Sequence, residues 1–532
     1  MEKLKTKTES IEGDFEITRR NFLKIGGAVT AGIAVSNTVG AGETKTKESG
    51  TSPGIEGKIF HSVCPYCAVG CGMKIYVKDN KVVHIEGDEE NPINRGSLCS
   101  KGNAAIQQIY NDFRVKEPSK KTGNGHWEKI LWNDAYNEIS EKLKAIRTKY
   151  GPDAVGFYGC SHATNEEDYL IQKIARIFGT NNIEHQARKC HASTVGALAP
   201  SFGRGAMTNH WVDIKNAKCV FIIGSNIVEN HPVGFQWVTE AREKNEAKII
   251  VADPRYTKTA NMSDIYMQHR PGTDIALING ICKEIIENKW YDEIYLMNRT
   301  NTPFLLNNEG KLIEIKISAL PENKKLKIRS GSDNDKAIKI KITGKDENGK
   351  DIPFEEISLD GKNFVLSKNK FSFVSKIENE KASGEVEILD EQDKEISKIP
   401  AGVKVYGDCY GAYAGVWTAE EMKANKDTVF SKLVEVISPY TPEEVEKITG
   451  VEKETIKQTA EIFAKNKPVT ILYSMGTTQH TTGVQYIRSY VVLQLLLGNI
   501  GIPGGGINAM RGISNVQGAT DMGLCHILPA NF

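Results

Sequence analysis

The sequence predicts an α/β protein in which a small antiparallel domain is followed by parallel-sheet, Rossmann-like domains that carry a charged β-rich insertion. Three observations predict this class. Short strands of alternating polarity lie between cysteine-bearing loops over residues 58–115, and apolar runs alternate with amphipathic helical segments over residues 116–304 and 401–532. Between these two α/β segments, residues 305–400 are dominated by Lys, Glu, Asp and Asn.

The composition is that of an ordinary globular protein. Of its 532 residues, 39% are hydrophobic and 25% are charged, which excludes a disordered, collagen-like or multi-span membrane chain. Lys and Arg number 68 against 67 Asp and Glu, so we expect no nucleic-acid partner. The 10 cysteines are too few for a disulfide scaffold of this length, and four of them lie between residues 64 and 99, which favours ligation.

The N-terminus predicts a targeting signal. Arg19 and Arg20 precede a mildly apolar stretch of 15 residues that ends at Val39, and the small residues Gly40 and Ala41 follow. This stretch is shorter than the ~20 residues that span a bilayer. We therefore predict a twin-arginine signal peptide over residues 1–41 and a linker over 42–57; the alternative is a chance Arg pair before an amphipathic helix. Because the twin-arginine route exports folded proteins, it predicts a cofactor inserted before export and a periplasmic location.

Individual strands follow from the pattern of apolar residues. In the small domain, alternation predicts strands at Lys74–Val77 and Lys81–Ile85. In the α/β segments, apolar runs that end in Gly or Asp turns predict these parallel strands: Ala154–Tyr158, Cys219–Ile223, Lys248–Ala252 and Val469–Tyr473. In the insertion, alternation predicts strands at Ala337–Ile342 and Gly384–Leu389, and we assign this exposed element no chemistry.

Four cysteines carry the strongest chemical signal. Two residues separate Cys64 from Cys67, three separate Cys67 from Cys71, and 27 lie between Cys71 and Cys99. Three thiolates can therefore wrap one face of a cluster while a distant loop supplies the fourth, and this spacing favours a 4Fe-4S cluster. Two alternatives stay open. A structural zinc site more often shows two well-separated cysteine pairs, and disulfides are unfavourable in a chain that folds in a reducing compartment before export.

Two blocks of sequence carry a resemblance to a known family. Cys64–Cys71 (CPYCAVGC) and residues 87–102 are similar to the opening of the molybdopterin oxidoreductases of the dimethyl-sulfoxide-reductase class. Residues 188–194 (RKCHAST) and 203–214 (GRGAMTNHWVDI) closely resemble the large subunit of respiratory, membrane-associated formate dehydrogenases, in the form that has cysteine where others have selenocysteine. The resemblance covers residues 59–532 apart from the insertion, and it implies an iron–sulfur domain over residues 58–115.

This resemblance implies roles for individual residues. Cys190 would be the protein ligand to molybdenum or tungsten, His191 the proton acceptor, titrating near the working pH, and Arg511 the residue that grips the carboxylate of formate. Taken alone, Cys190 could be an inert buried cysteine, His191 a core residue, and Arg511 a phosphate or structural contact. Lys101 resembles the lysine between cluster and pterin, although this chain has Ser100 where the family often has proline.

Residues that follow the predicted strands are candidates for binding two molybdopterin guanine dinucleotides. Glycine at such a position lets backbone amides approach a phosphate, and a carboxylate accepts hydrogen bonds from guanine or ribose. Besides Lys101, the candidate cofactor residues are Gly224, Asn226, Glu229, His231, Asp253, Arg255, Gly272, Asp274, Met475, Gly476 and Gln479. Each is a weak signal by itself, and their order along the chain is that of the family.

The resemblance implies an exported formate dehydrogenase large subunit. It would oxidise formate to CO2 at a molybdenum or tungsten bis(molybdopterin guanine dinucleotide) centre and pass electrons through the 4Fe-4S cluster to an iron–sulfur subunit. A membrane cytochrome or quinone-reducing subunit would then hold the complex at the membrane. The alternatives are another thiolate-ligated molybdoenzyme, such as a periplasmic nitrate reductase, and an inactive fragment or half of a split enzyme.

The end of the sequence adds one expectation. The family usually continues for hundreds of residues beyond the arginine motif, whereas this sequence ends at Phe532. We therefore expect the C-terminal β-barrel cap of the family to be absent, and activity to require a separate C-terminal polypeptide.

Overall fold

The described part of the chain comprises residues 55–320 and 322–525 of a computed structural model. The predicted signal peptide, most of the predicted linker and the end of the last predicted segment lie outside these residues. The domain boundaries given above stay predictions. Within the described ranges, no helix combines the length and the apolar character that crossing a membrane would need.

A three-stranded antiparallel sheet opens the described chain, in the order β1-β2-β3. Its strands are β1 (Lys58–Val63), β2 (Gly72–Lys78) and β3 (Lys81–Gly87). β2 and β3 contain the two predicted strands, whereas β1 was not predicted because its residues are nearly all exposed and show no buried face. The loop between β1 and β2 carries three cysteines, and the fourth precedes two short helices, α1 (Ser100–Asn103) and α2 (Ala105–Ile109).

Two helices and a small parallel sheet follow. The elements are β4 (Ser119–Lys121), β5 (Trp127–Lys129), α3 (Trp132–Tyr150), a 3-10 turn (Pro152–Ala154), β6 (Phe157–Tyr158), α4 (Asn165–Phe178) and β7 (Ile183–Glu184). The predicted strand Ala154–Tyr158 is too long, because its first residue belongs to the 3-10 turn that Pro152 begins. It also lies in a two-stranded parallel sheet, β6-β7, and not in the main sheet.

The first part of the main sheet comes next. Its elements are α5 (Ala187–Cys190), α6 (Ala192–Phe202), a 3-10 helix (Trp211–Asn216), β8 (Cys219–Ile223), α7 (Ile227–Asn230), α8 (Gln236–Asn245), β9 (Lys248–Ala252), a 3-10 turn (Ala260–Met262), β10 (Ile265–Met267), α9 (Asp274–Glu287) and α10 (Glu293–Arg299). β8 and β9 have the predicted bounds, because short fully apolar runs between turns are typical of buried parallel strands.

The charged segment folds into antiparallel sheets that extend past its predicted end at residue 400, because the last two strands of these sheets follow that residue. Its strands are β11 (Glu314–Ile315), β12 (Leu326–Ser330), β13 (Lys336–Lys345), β14 (Asp351–Asp360), β15 (Val365–Leu366), β16 (Phe373–Asn379), β17 (Val386–Asp390), β18 (Glu395–Ile399), β19 (Lys404–Asp408) and β20 (Gly411–Gly415). They form sheets in the orders β15-β12-β17-β18, β14-β13-β16 and β11-β20-β19. Alternate residues such as Ile340, Ile342 and Ile388 point into a hydrophobic core that this element builds for itself.

The chain then returns to complete the main sheet. The last elements are α11 (Ala419–Ala424), α12 (Val429–Ile437), α13 (Pro442–Thr449), α14 (Lys453–Lys465), β21 (Val469–Tyr473), α15 (Met475–Thr478), α16 (Gly483–Leu496), β22 (Gly506–Ala509) and α17 (Val516–Asp521). β21 has the predicted bounds. All five strands of the main sheet are parallel, in the order β10-β9-β8-β21-β22.

The main sheet is covered on both faces. Along β8, Phe221 and Ile223 pack into one core while Val220 and Ile222 pack into the other, so each residue of the strand is buried. The order of connection reverses between β8 and β21, because the chain runs from β8 to β9 and β10 on one side and from β21 to β22 on the other. In open parallel sheets, such a reversal leaves a crevice at the carboxyl ends of the strands, which is where ligands bind.

Candidate functional site

Two glycines meet at the crevice between β8 and β21. Gly224 directly follows β8, and the amide of Gly476 donates a hydrogen bond of 3.1 Å to its carbonyl oxygen. Gly224 has a φ of +60°, and a Cβ added to Gly476 would lie 2.6 Å from the Gly224 oxygen. Because no side chain fits between them, the two loops present bare backbone to the crevice, as phosphate-binding turns do.

A cavity of about 310 Å³ lies at these strand ends. It is lined by residues that follow β8, β9, β10 and β21 and includes the start of α9. The lining residues are Gly224, Ser225, Asn226, Asn230, Asp253, Pro254, His269, Pro271, Asp274, Ser474, Met475, Gly476 and His480. Four strands thus contribute polar groups to one cavity, as predicted for residues at parallel strand ends.

Two buried polar atoms in this cavity have no hydrogen-bond partner among the described residues. They are the Oγ of Ser225 and the Nδ1 of His269. The other ring nitrogen of His269 lies 3.4 Å from a carboxylate oxygen of Asp274. Unpaired buried polar atoms are costly in a protein that leaves them unsatisfied, so hydroxyl, imidazole and carboxylate groups around bare glycine backbone fit a bound nucleotide.

Six predicted cofactor residues line this cavity: Gly224, Asn226, Asp253, Asp274, Met475 and Gly476. The others lie elsewhere. The carboxylate of Glu229 is paired with Lys258 at 3.0 Å, and the side-chain amide of Gln479 donates to the Lys189 carbonyl at 2.8 Å. Arg255 and Gly272 are only sequence neighbours of lining residues, and Lys101 and His231 lie near the cysteines and Arg511. The cofactor roles of all these residues stay predictions.

A second cavity, of about 240 Å³, brings His191 and Arg511 together. His185, Arg188, Gln517 and Thr520 are among the residues that complete its lining. Cys190 lies beside it at the end of α5, where its thiol accepts a hydrogen bond from the Gly512 amide. The structure therefore places the three predicted catalytic residues, which are distant in sequence, around one site.

Arg511 is held from two sides. Its guanidinium Nη2 donates a hydrogen bond of 2.7 Å to the Gly205 carbonyl, and its own carbonyl accepts one of 2.6 Å from the Nε2 of His231. The side chain is only 8% exposed. A guanidinium has five N–H donors, so several of them stay available toward the cavity.

Burial shifts the titration of this site. Burial raises the pKa of Cys190, while the Gly512 amide and the Arg511 cation oppose the rise. Burial, aided by Arg511 and His231, lowers the pKa of His191 to about 3. The expectation that His191 titrates near the working pH is therefore wrong for this structure, because desolvation disfavours the imidazolium form. The Nε2 of His191 has no partner among the described residues.

The four predicted cluster cysteines face one another. Burial, together with the neighbouring thiolates of Cys67, Cys64 and Cys99, raises the pKa of Cys71 to about 12. In the described residues, no three His, Cys, Asp or Glu side chains are arranged to hold one metal ion. In a 4Fe-4S cluster each thiolate binds its own iron, so the ligands need not converge on one point. The electrostatic interaction of all four thiols fits the predicted cluster site.

Two further residues link the cysteine loop to the rest of the site. The indole of Trp211 donates a hydrogen bond of 3.1 Å to the Ala68 carbonyl, and its ring lies 5.7 Å from the ring of His231. The ammonium of Lys101 acts electrostatically on Cys64 and on His231. Lys101 was predicted between cluster and pterin; Trp211 was not, although it belongs to the GRGAMTNHWVDI block.

Comparison with known families gives three matches along the chain. Residues 58–111 match the Fe4S4 domain of molybdopterin oxidoreductases, and residues 114–527 match the molybdopterin oxidoreductase family itself. Residues 16–36 match the signal sequence of the twin-arginine translocation pathway, which indicates export.

Several curated proteins are similar over most of the chain. The major subunit of the nitrate-inducible formate dehydrogenase of Escherichia coli is 33% identical over 96% of this chain and 45% of its own length. The formate dehydrogenase subunit alpha of Megalodesulfovibrio gigas is 34% identical over the same shares. The F420-dependent formate dehydrogenase subunit alpha of Methanocaldococcus jannaschii is 33% identical over 88% of this chain and 50% of its own. The chain thus spans about half the length of the curated relatives it matches.

One solved structure has a similar fold. Acetylene hydratase from Pelobacter acetylenicus superposes with a TM-score of 0.53 over 84% of this chain and 44% of its own, at 21% identity. At this identity, the likeness concerns the fold alone.

Proposed function

The chain belongs to the molybdopterin oxidoreductases, and from this premise we propose that it is the catalytic subunit of an exported formate dehydrogenase. The observation that carries the proposal is that His191 and Arg511 line one small cavity, next to Cys190, which precedes His191 and feels the charge of Arg511. A soft ligand, a proton acceptor and a carboxylate-binding cation are the three groups that formate oxidation at a metal needs.

The residues at the two cavities fit the cofactors of the family. Cys190 would bind molybdenum or tungsten, and the cavity at the strand ends would hold part of a bis(molybdopterin guanine dinucleotide). Cys64, Cys67, Cys71 and Cys99 would hold the 4Fe-4S cluster. When bound, the metal–pterin centre supplies an acceptor for the two electrons that formate gives up.

Arg511 binds and orients the substrate in this proposal. Its guanidinium can grip both oxygens of formate, and the hydrogen bond to Gly205 fixes its direction. Because the residue is buried, the charge-assisted contact acts in a low local dielectric and is stronger than it would be in water.

In this proposal His191 relays the proton that formate oxidation releases and does not hold it, because its lowered pKa disfavours the imidazolium form. Its lowered pKa keeps the imidazole neutral at ordinary pH, and Nε2 is the atom without a partner in the described residues. Neutral imidazole can accept a proton there and pass it on.

The route for electrons runs toward the cysteine loop. Trp211 binds the cysteine loop through the Ala68 carbonyl, and Lys101 acts electrostatically on both Cys64 and His231, the residue that binds the Arg511 carbonyl. We propose that the cluster passes electrons on to an iron–sulfur subunit and a membrane cytochrome or quinone-reducing subunit, since two of the similar proteins are described as formate dehydrogenase subunits. With the twin-arginine signal, this gives a periplasmic complex held at the membrane by its partners.

The test is a comparison of substrates on the metal-loaded enzyme, purified together with the separate C-terminal polypeptide that activity is expected to require. We expect formate-dependent dye reduction and no nitrate-dependent dye oxidation, and we expect Cys190→Ala to abolish the activity while iron content stays unchanged. Cys160→Ala is the matched control, because Cys160 is exposed and lies outside both cavities. Nitrate reduction without formate oxidation, or an active Cys190→Ala enzyme, would contradict the proposal.

A further inference from the structure

The backbone of Cys190 is held by side chains from outside its own helix. Helix α5 has four residues and ends at Cys190. Because the last four carbonyl groups of a helix lack amide partners within it, so short a helix needs outside donors. The hydroxyl of Thr478 donates a hydrogen bond of 2.6 Å to the Cys190 carbonyl, across 288 positions of sequence. The side-chain amide of Gln479 donates one of 2.8 Å to the carbonyl of Lys189.

The contact is reciprocal, because α15 has the same need. This helix is also four residues long, and it ends at Thr478. The hydroxyl of Ser193, near the start of α6, donates a hydrogen bond of 2.8 Å to the Thr478 carbonyl. A Cβ added to Gly483 would lie 2.7 Å from the Ser193 hydroxyl oxygen and 2.8 Å from the Thr478 carbonyl oxygen, so glycine leaves room for this bond. Each of the two segments thus caps a helix end of the other.

The turn that ends at Thr478 also borders the cavity at the strand ends. Ser474, Met475 and Gly476 line that cavity, and Thr478 follows them within one helical turn. Since an α-helix rises about 1.5 Å per residue, Met475 and Thr478 are separated by roughly 5 Å along the helix axis. One helical turn therefore connects the cavity assigned to a dinucleotide with the backbone of Cys190.

We propose that Thr478 is a positioning residue for Cys190: its hydroxyl fixes the main chain that carries the thiol and so holds the thiol where it binds the metal. The inference rests on the proposed function, because it takes Cys190 as the ligand to molybdenum or tungsten. Loss of a group that holds a metal ligand in place typically costs about 10- to 100-fold in metal affinity. Thr478 acts through Cys190, since its hydroxyl proton is donated to the Cys190 carbonyl.

The experiment measures how readily Cys190 leaves the metal. Iodoacetamide alkylates a free thiolate, whereas a thiolate bound to a metal is protected. The metal-loaded enzyme, purified together with the separate C-terminal polypeptide, is treated with this reagent. Mass spectrometry then follows the peptides that contain Cys190 and the exposed Cys160. We expect Thr478→Val to raise the alkylation rate of Cys190 by at least about tenfold without changing that of Cys160, and Thr478→Ser, which keeps the hydroxyl, to react like the unchanged enzyme.

Thr449→Val is the matched control. The Thr449 hydroxyl is also buried and donates a hydrogen bond of 2.7 Å to a backbone carbonyl, that of Val445, at the end of α13. Because each valine variant removes one buried hydroxyl, both should lower the melting temperature by similar amounts. Only Thr478→Val should speed the alkylation of Cys190, an effect that a merely structural role for Thr478 would not produce.

Hydrogen exchange of the metal-free chain gives a second readout. Backbone amides of residues 187–194 should exchange faster in Thr478→Val and not in Thr449→Val. The inference is overturned, and the proposed function is not, if Cys190 stays as well protected in Thr478→Val as in the unchanged enzyme, or if Thr449→Val exposes it equally. If Cys190 of the unchanged loaded enzyme reacts as fast as in the metal-free chain, Cys190 is not a ligand, and the inference and the ligand assignment of the proposed function are both wrong.

Discussion

The hydroxyl of Ser514 donates a hydrogen bond of 3.0 Å to the carbonyl oxygen of Pro65. The Ser514 amide donates a second one, of 3.1 Å, to the neighbouring carbonyl of Tyr66. Pro65 and Tyr66 lie between two of the predicted cluster cysteines, and Ser514 comes three residues after Arg511. The loop that carries the candidate substrate arginine is therefore in direct contact with the loop that carries the candidate cluster ligands.

Ser514→Ala should loosen this contact. The substitution removes the hydrogen bond that the Ser514 hydroxyl donates to the Pro65 carbonyl. We therefore expect the free energy of unfolding to fall by about 1 kcal/mol. Chemical denaturation of the purified chain measures the change. Ser438→Ala is the control, because the Ser438 hydroxyl bonds a carbonyl on an exposed helix end. If both variants lowered the free energy of unfolding equally, the contact between the two loops would stabilise the chain no more than an exposed hydrogen bond at a helix end.

Cys67→Ser should remove the cluster. The variant retains the loop but replaces a thiolate with a weak ligand for iron, so bound iron and the broad brown absorbance should fall close to zero. Cys409→Ser is the control, since Cys409 follows β19 and lies far from the other cysteines in sequence. Metal analysis and visible spectra provide the measurement. Zinc in the unchanged protein, or full iron content in Cys67→Ser, would show that the cluster assignment is mistaken.

Arg511→Lys should mainly raise the formate concentration that half-saturates the enzyme. Lysine keeps the charge but loses the two-pronged contact, and loss of a charge-assisted contact of ~1.5–3 kcal/mol corresponds to at least about a tenfold rise in KM. The metal-loaded enzyme is assayed by dye reduction over a range of formate concentrations. Arg299→Lys on the exposed end of α10 should have no effect. An unchanged KM in Arg511→Lys would make Arg511 a structural contact to Gly205.

Asp335→Asn should destabilise the charged insertion in a pH-dependent way. Burial alone would raise the pKa of Asp335, but hydrogen bonds from Ser330, Ser383 and Gly384 outweigh it and lower the pKa to about 2. A lowered folded-state pKa stabilises the fold above the ordinary value of 3.8, and this stabilisation is lost as the pH falls through about 2. We expect Asp335→Asn to lower the free energy of unfolding by about 1–3 kcal/mol at pH 7, because a neutral amide then replaces the carboxylate that accepts these hydrogen bonds.

The difference in the free energy of unfolding between the unchanged chain and Asp335→Asn should be constant between about pH 5 and 7. It should become smaller below about pH 4. Denaturation at several pH values measures it. Asp333→Asn is the matched control, because that carboxylate is exposed and paired only with Lys362. A pH-independent difference would mean that hydrogen-bond geometry, and not the charge, stabilises the turn.

Three of the five strands of the main sheet were predicted, because buried parallel strands have a distinct sequence pattern, whereas the edge strands β10 and β22 were not predicted. The strands Cys219–Ile223 and Val469–Tyr473 are fully buried apolar runs bounded by turns. Strand β1 has no such pattern, since its residues are exposed and its position depends on pairing with β2. The strand at β6 was predicted too long because the pattern of apolar residues does not reveal the 3-10 turn that Pro152 begins.

The candidate site was predictable only in part. Cys190 and Arg511 came from a family resemblance, and their closeness in space, shown by the effect of the Arg511 charge on the Cys190 thiol, is a property of the folded chain. His269 was missed, although its position two residues after β10 was a usable signal. The pKa of His191 could not be predicted, because desolvation depends on what packs around the ring and not on its neighbours in sequence.

The charged β element has a core that is nearly separate from that of the main sheet. Within residues 55–320 and 322–525, only Leu305 packs against both of the hydrophobic clusters concerned. Cooperativity in unfolding arises from shared packing, so two regions that share so little need not melt together. A heating curve of this chain is then better described as two overlapping transitions than as one. A single melting temperature would average the unfolding of the charged β element with that of the main-sheet region.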